Sequence, residues 1–293
     1  MTDAMTDSLN NARLNRLAGK RAVVVGAGQL PSDFAGMGRA TAFLFAREGA
    51  RVFIVDRDPD RVEETAELMR SEGHDPITCA ADITIADDCE RLVETAVKEM
   101  GGLDILQNTV GIYGNGDVVE ISEAEWDKVM DTNVKGMWAT STHALKAMRD
   151  QRWGSVINYS SLGGIYGRSN GVYGISKAAV NQLTATLAIF NAPYRLRINA
   201  IMPGLIATAM AYEGRAVTLW GQDSLSPEER DAITADRLTK MPMGYSGDAF
   251  DCARLGLFLA SDESRYISGA CIPVDGAYSV GSFYTNAGLG RSG

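Results

Sequence analysis

The sequence predicts an α/β fold: a doubly wound parallel sheet of seven strands with helices on both faces. Two observations carry this. Short, β-branched, almost continuously apolar runs recur along the chain, as strands buried on both faces require. Between most of them lie segments with apolar residues at three- and four-residue spacing that close on a glycine, as helices do. Strand alternating with helix implies parallel pairing through right-handed crossovers.

In chain order the strands are RAVVVG (21–26), RVFIVD (51–56), DPITCAAD (75–82), DILQNTVG (104–111), SVINYSS (155–161), RLRINAIMP (195–203) and CIPVDG (271–276). MGRATAFLFAREG and DRVEETAELMRSEG supply helices after the first and second. No internal repeat, low-complexity block or linker divides the chain. Residues 18–280 are therefore read as one domain, preceded by an N-terminal extension (1–17) and followed by a tail (281–293). The rhythm breaks once, at about 209–244. That stretch does not resemble a single crossover, and long insertions of this kind commonly serve as lids. It is read as a substrate lid.

Composition narrows the function. Of 293 residues, 45% are hydrophobic and 22% charged, and 31 are glycine, which suits a globular fold with many tight turns. A formal net charge of -9 argues against a nucleic-acid surface, which needs a basic stripe. Four cysteines without C-x-x-C spacing and two histidines give no metal-site pattern. The N-terminal residues lack the apolar core of a secretory signal, and no later stretch reaches membrane-spanning length. With no export signal and unpaired thiols, the expected compartment is the cytoplasm.

The stretch GAGQLPSDFAGMG (26–38) raises the question of a phosphate-binding loop. A lone glycine motif is weak, but here Gly26 ends a strand and Gly38 opens a helix. Backbone N–H groups and the positive helix end then face one turn, which favours a pyrophosphate near Gly26, Gly28, Met37 and Gly38. Asp56 ends the next strand, where its carboxylate is placed to accept hydrogen bonds from both hydroxyls of an adenosine ribose.

At this point the sequence resembles the short-chain dehydrogenase/reductase family, of the single-domain Tyr-x-x-x-Lys type with a Rossmann-type fold, from about Gly19 to Gly276. The family loop reads G-x-x-x-G-x-G. Here Gly26 and Gly36 are ten positions apart rather than four, an insertion of six residues, LPSDFA (30–35). That insertion is expected to bulge outward while both ends hold the cradle. Asp82, with Ile83 beside it, matches the position that holds the adenine edge. The family's N-N-A-G turn stands here as Asn108-Thr109-Val110-Gly111, keeping the first Asn and the Gly. Asp82 and Asn108 each have an alternative reading as a helix cap or turn residue. PGLIAT gives Pro203, Gly204, Ile206 and Thr208, which resemble the segment gripping the nicotinamide carboxamide.

YGISK places Tyr173 and Lys177 four residues apart, on one helix face, and the resemblance makes them acid/base and partner. A free tyrosine titrates near pH ~10, so work near neutrality requires lowering its pKa by roughly three units, about 4 kcal/mol. An ammonium about 4 Å away at moderate dielectric supplies about that much, helped by the positive ring of an oxidised nicotinamide. Ser160 and Ser161 compete to hold the substrate oxygen. The strand-end alignment favours Ser161, and the usual count back from the tyrosine favours Ser160; Ser161 is the reading taken. The resemblance gives Asn133 a helix kink and a water in a proton relay.

The expectation is hydride transfer between NAD(H) and a secondary alcohol or ketone. Asp56 would repel a ribose 2′-phosphate, whereas Arg57 and Arg39 keep an NADP-dependent ketone reductase open. A non-catalytic, dinucleotide-sensing regulator is the reading from another class. Ile112, Tyr113, Leu162, Tyr166, Leu205, Met210, Tyr212 and Trp220 are candidates for an apolar pocket. With no arginine placed to clamp an acid, a neutral alicyclic or aromatic substrate is expected. The resemblance further implies a homotetramer joined partly through the Tyr173 helix.

Overall fold

The computed structural model describes residues 14–114, 117–167, 171–214, 216 and 225–281. Seven parallel strands form its centre: β1 (Arg21–Val25), β2 (Arg51–Asp56), β3 (Ile77–Ala80), β4 (Ile105–Asn108), β5 (Gly154–Tyr159), β6 (Leu196–Pro203) and a last strand, Cys271–Val274. In space they run β3-β2-β1-β4-β5-β6 and then that last strand, so all seven predicted strands are present. The order reverses between β1 and β4. Adjacent connections leave in opposite directions there, opening a crevice above the carboxyl ends.

Helices cover both faces. Ala22 and Val24 of β1 pack to one side with Phe45 of α1 (Met37–Arg47), Met69 of α2 (Pro59–Ser71) and Leu257 of a helix at Ala249–Ala260. Val23 and Val25 pack to the other with Leu92 of α3 (Ala86–Met100) and Leu145 of α5 (Gly136–Gln151). This two-residue alternation is what β geometry demands. Each fully buried chain such as Phe45 or Phe53 contributes on the order of 1.5–3 kcal/mol. Between α4 (Glu123–Met130) and α5 a π-helical turn, Asp131–Lys135, breaks the helical register. After β5 comes the long helix α6 (Gly171–Asn191).

The described part of the segment 209–244 is not a plain crossover. It contains a π-helical turn, Met210–Gly214, and α7 (Pro227–Lys240), whose N-terminus is closed by a reciprocal Ser226–Glu229 capping box. A small parallel pair not foreseen in the sequence, β7 (Ile206–Ala207) with β8 (Gly247–Asp248), joins the two ends of this segment. The chain continues through α8 (Ala249–Ala260), β9 (Cys271–Val274) and α9 (Tyr278–Gly281). Among the described residues no helix is long and apolar enough to cross a membrane, no His/Cys/Asp/Glu cluster suits a metal, and the four cysteines are free. Residues 1–13 of the predicted extension and 282–293 of the predicted tail lie outside the described residues.

Candidate active site

The cradle begins where β1 ends. Gly26 has φ +85°, and a Cβ there would stand 2.8 Å from the Thr109 hydroxyl, so only glycine fits without strain. A Cβ on Gly38 would run into the Gly26 carbonyl. Thr109 donates from its hydroxyl to the carbonyls of Val25 (2.5 Å) and Gly26 (3.1 Å), fixing the strand end. No side chain caps the N-terminus of α1, whose N–H groups are therefore left for an anion. These surfaces, bare backbone and a helix N-terminus, fit a dinucleotide diphosphate, with the Gly28 N–H at their edge donating to Asp56.

The six-residue insertion does not bulge free. Gln29, buried, closes its neck by accepting from Gly36 N–H at 2.7 Å. Phe34 then stacks on Tyr212 of the 209–244 segment, ring centres 4.5 Å apart and planes 10° from parallel. Asp33 pairs with Arg230 of α7 (3.3 Å), which also pairs with buried Glu213 (2.7 Å). The insertion leaves the glycine turn and packs on the 209–244 segment, where apolar Phe34 finds an aromatic partner instead of water.

Asp56 ends β2 and accepts from the backbone N–H of Gly28 (3.0 Å) and Asp58 (3.2 Å). Burial pushes its carboxyl above the ordinary value, against those two bonds and the nearby Arg61 and Arg57 cations. Arg57 is exposed beside it. Arg39, in contrast, is buried and bonded to Thr65 (3.0 Å) and Glu64 (3.2 Å), turned to α2. Asp82 makes the turn its alternative reading foresaw, accepting from Thr84 N–H (2.9 Å) and its hydroxyl (2.7 Å). Ile83 is buried next to it, close against Gly136.

The Asn108 side chain is spent within the core. Its amide donates to Ser141 and Asn158 (3.0 Å each) and its oxygen accepts from Thr140 (2.9 Å). All of this lies in the core beneath the crevice. The side chain joins strands and helix there instead of facing a cofactor, because a buried amide must be satisfied where it sits.

Tyr173 and Lys177 stand one turn apart on α6. Lys177 is buried, its ammonium donating to the Tyr159 carbonyl at 2.9 Å and lying 5.7 Å from the centre of the Tyr173 ring. Burial pulls Lys177 down to about 8. Burial also drives the Tyr173 phenol well above its ordinary value, reinforced by the Tyr113 ring 4.9 Å away and opposed by Ser161. In the protein alone, desolvation is the largest influence on the phenol.

The two serines separate clearly. Ser160 is buried and donates to the backbone carbonyl of Lys177 (3.0 Å). Ser161 accepts from Gly163 N–H (3.0 Å), and its hydroxyl faces Tyr173. Asn133 sits in the π-helical turn, where its oxygen accepts from Ile112 N–H (2.8 Å) and its amide donates to the Ile112 carbonyl (2.9 Å) and Ser176 (3.0 Å). Ser176 in turn donates to the Tyr173 carbonyl (2.7 Å). A Cβ on Gly111 would lie 3.0 Å from the Lys177 ammonium and 3.6 Å from the Asn133 oxygen, so these groups form one cluster.

A cavity of about 680 Å³ opens above them, lined by Met37, Thr109, Gly111, Ser161, Tyr173 and Lys177 and by Pro203, Gly204, Ile206 and Thr208. Thr208 accepts from Ala211 N–H (3.2 Å) to start the lid. Tyr113, Leu162, Tyr166, Leu205 and Met210 line it as foreseen, whereas Tyr212 packs against Phe34 and Ile112 is not in the wall; Trp220 lies outside the described residues. Gln29, Thr109, Ser176, Arg237, Lys240 and Tyr278 were missed by sequence reasoning. Only Thr109, standing where the resemblance has a second Asn, carried a signal. The expectation that no arginine lies near the substrate is corrected, since Arg237 is in the cavity wall.

Comparison with known proteins agrees with this arrangement. Residues 33–279 match the family model described as Enoyl-(Acyl carrier protein) reductase. The 2-(S)-hydroxypropyl-CoM dehydrogenase 3 of Xanthobacter autotrophicus is 33% identical over 263 residues, 89% of this chain and 97% of its own. Among solved structures, Levodione Reductase superposes with a TM-score of 0.82 at 30% identity, over 90% of this chain and 99% of that one. A short-chain type dehydrogenase/reductase from Mycobacterium marinum gives 0.78 at 30% identity, over 91% and 98%.

Proposed function

The chain belongs to the short-chain dehydrogenase/reductase family, and from that premise we propose that it is an NAD(H)-dependent oxidoreductase interconverting a secondary alcohol and its ketone. The observation that supports this most is the convergence of Ser161, Tyr173 and Lys177 on one cavity that adjoins the glycine cradle. A relative named for a 2-hydroxypropyl group, a secondary alcohol, and a neighbour named as a reductase point the same way.

In this reading Gly26, Gly28, Met37 and Gly38 hold the diphosphate, Asp56 the adenosine ribose, and Asp82 with Ile83 the adenine edge. Pro203, Gly204, Ile206 and Thr208 hold the carboxamide. When bound, the nicotinamide supplies the acceptor or donor of hydride and, oxidised, a positive charge. Tyr173 moves the proton at the substrate oxygen, and Ser161 donates a hydrogen bond to that oxygen as charge develops. Lys177 supports the phenolate electrostatically, and Asn133, through Ile112 and Ser176, positions the loop and helix around it. Asp56 favours NAD: its carboxylate repels a 2′-phosphate, and of the two guanidiniums that could accept one Arg39 is bound to Thr65 and Glu64, which leaves Arg57 as the NADP alternative. We read the protein as cytoplasmic, in keeping with its free thiols, and as a homotetramer.

The test is turnover of a panel of alicyclic and aromatic secondary alcohols with NAD and with NADP, beside Tyr173→Phe. NAD-dependent oxidation lost in Tyr173→Phe is expected. Dinucleotide binding without turnover of any alcohol would instead favour the sensing role.

A further inference from the structure

Helix α7 is polar on almost every side, yet the one residue it buries is an arginine. Arg237 is 6% exposed, and its guanidinium stacks on the Tyr212 ring at 4.9 Å. Its Nη1 has no hydrogen-bond partner, and no carboxylate among the described residues pairs with it. It belongs to the wall of the cavity that contains Ser161 and Tyr173. Burying a guanidinium is costly unless its donors are used.

The neighbouring charges are already matched. Asp236 and Lys240, also in the wall, pair with each other at 2.5 Å. Glu213 is ion-paired with Arg230 at 2.7 Å, although its buried oxygens make no hydrogen bond, and Asp275 accepts from Ala277 and Ser279 N–H. Lys177 donates to Tyr159. Arg237 is left without an ionic partner among the described residues: a buried guanidinium in the wall of a pocket of mixed polar and apolar lining, in a protein of net charge -9.

We propose that Arg237 receives an acid group of the substrate, so that the natural alcohol or ketone is an anion with an apolar body between its carbinol and its acid. Planar, bidentate donors suit a carboxylate above all, and the Tyr212 stack holds the plane for it. The carbinol end is built on β5 and α6, and the acid end on α7. The inference rests on the reading of this cavity as a secondary-alcohol site and adds the charge of its substrate.

The experiment is an equilibrium titration of the protein saturated with reduced nicotinamide cofactor, using 4-acetylbenzoate and the uncharged 4-acetylbenzamide. The preceding cofactor titration reports separately on the dinucleotide reading. Wild type is expected to bind the acid at least ten-fold more tightly than the amide. In Arg237→Met the ratio should fall to near one, and Arg237→Lys should recover part of it. Equal binding of acid and amide by wild type, or no binding of the acid, overturns the proposal without any variant. So does an Arg237→Met protein that keeps the ratio while losing cofactor affinity, which would give the guanidinium to the cofactor's diphosphate.

Discussion

At the scale of single residues, the serine pair and the lysine make different predictions. Ser161→Ala should lower turnover by two to three orders of magnitude, the usual loss for one donor to a developing oxyanion. Ser160→Ala removes a bond to the Lys177 carbonyl and should cost much less; steady-state kinetics of both variants would show the opposite ranking if the roles were exchanged. Lys177, lowered to about 8 by burial, is penalised in the folded state wherever it is charged. That penalty is complete below about pH 8 and relieved as pH rises toward the unfolded value of 10.5. Lys177→Met should therefore be more stable than wild type at pH 7 by about 2 kcal/mol, with the gap shrinking by pH 10. Urea unfolding at the two pH values checks it, and an unchanged gap would refute it. Tyr173, Lys177 and a strand-end serine were legible because their spacing on helix and strand is local. Arg237 was not: which face α7 buries depends on Tyr212 and the cavity, neither of them near it in sequence. The partners of the Asn108 side chain were illegible for a related reason, since only the packed core shows that its amide is used by Ser141, Asn158 and Thr140.

At the scale of elements, the insertion 30–35 and the lid are one unit. The Phe34–Tyr212 stack and the Asp33–Arg230 pair couple the glycine loop to the 209–244 segment, the proposed cradle to the proposed lid. An aromatic stack of this kind is worth about 0.5–1.5 kcal/mol beyond its buried area. Phe34→Ala should therefore raise the substrate KM by roughly 2- to 12-fold and quicken proteolysis within 209–244, although residue 34 is in the nucleotide loop. A change confined to cofactor affinity would show that the stack does not hold the lid. The sequence showed that six residues were inserted and that 209–244 broke the rhythm. It gave no sign that each finds its partner in the other, because a single aromatic in a loop has no periodicity to read. The two-residue β7–β8 pair escaped for the same reason, being too short for any pattern.

At the scale of the molecule, the alternation of strand and helix made all seven strands of the sheet legible, since burial on both faces writes itself as continuous apolar runs. Assembly is less local. Ile175, Ile189 and Phe190 of α6 are 41%, 70% and 70% exposed, an apolar surface on the helix proposed to join subunits. Light scattering at micromolar concentration should give a tetramer, and Phe190→Asp should dissociate it at least in part; a wild-type monomer would rule the assembly out. The Asp33–Arg230 pair has a further consequence for biosynthesis. Its members are 197 positions apart, so a chain emerging from the ribosome completes β1, the glycine turn and α1 long before it can finish the rim of its own nucleotide loop. That contact is made only once residue 230 of 293 has been translated, which puts the docking of the insertion on α7 late in synthesis.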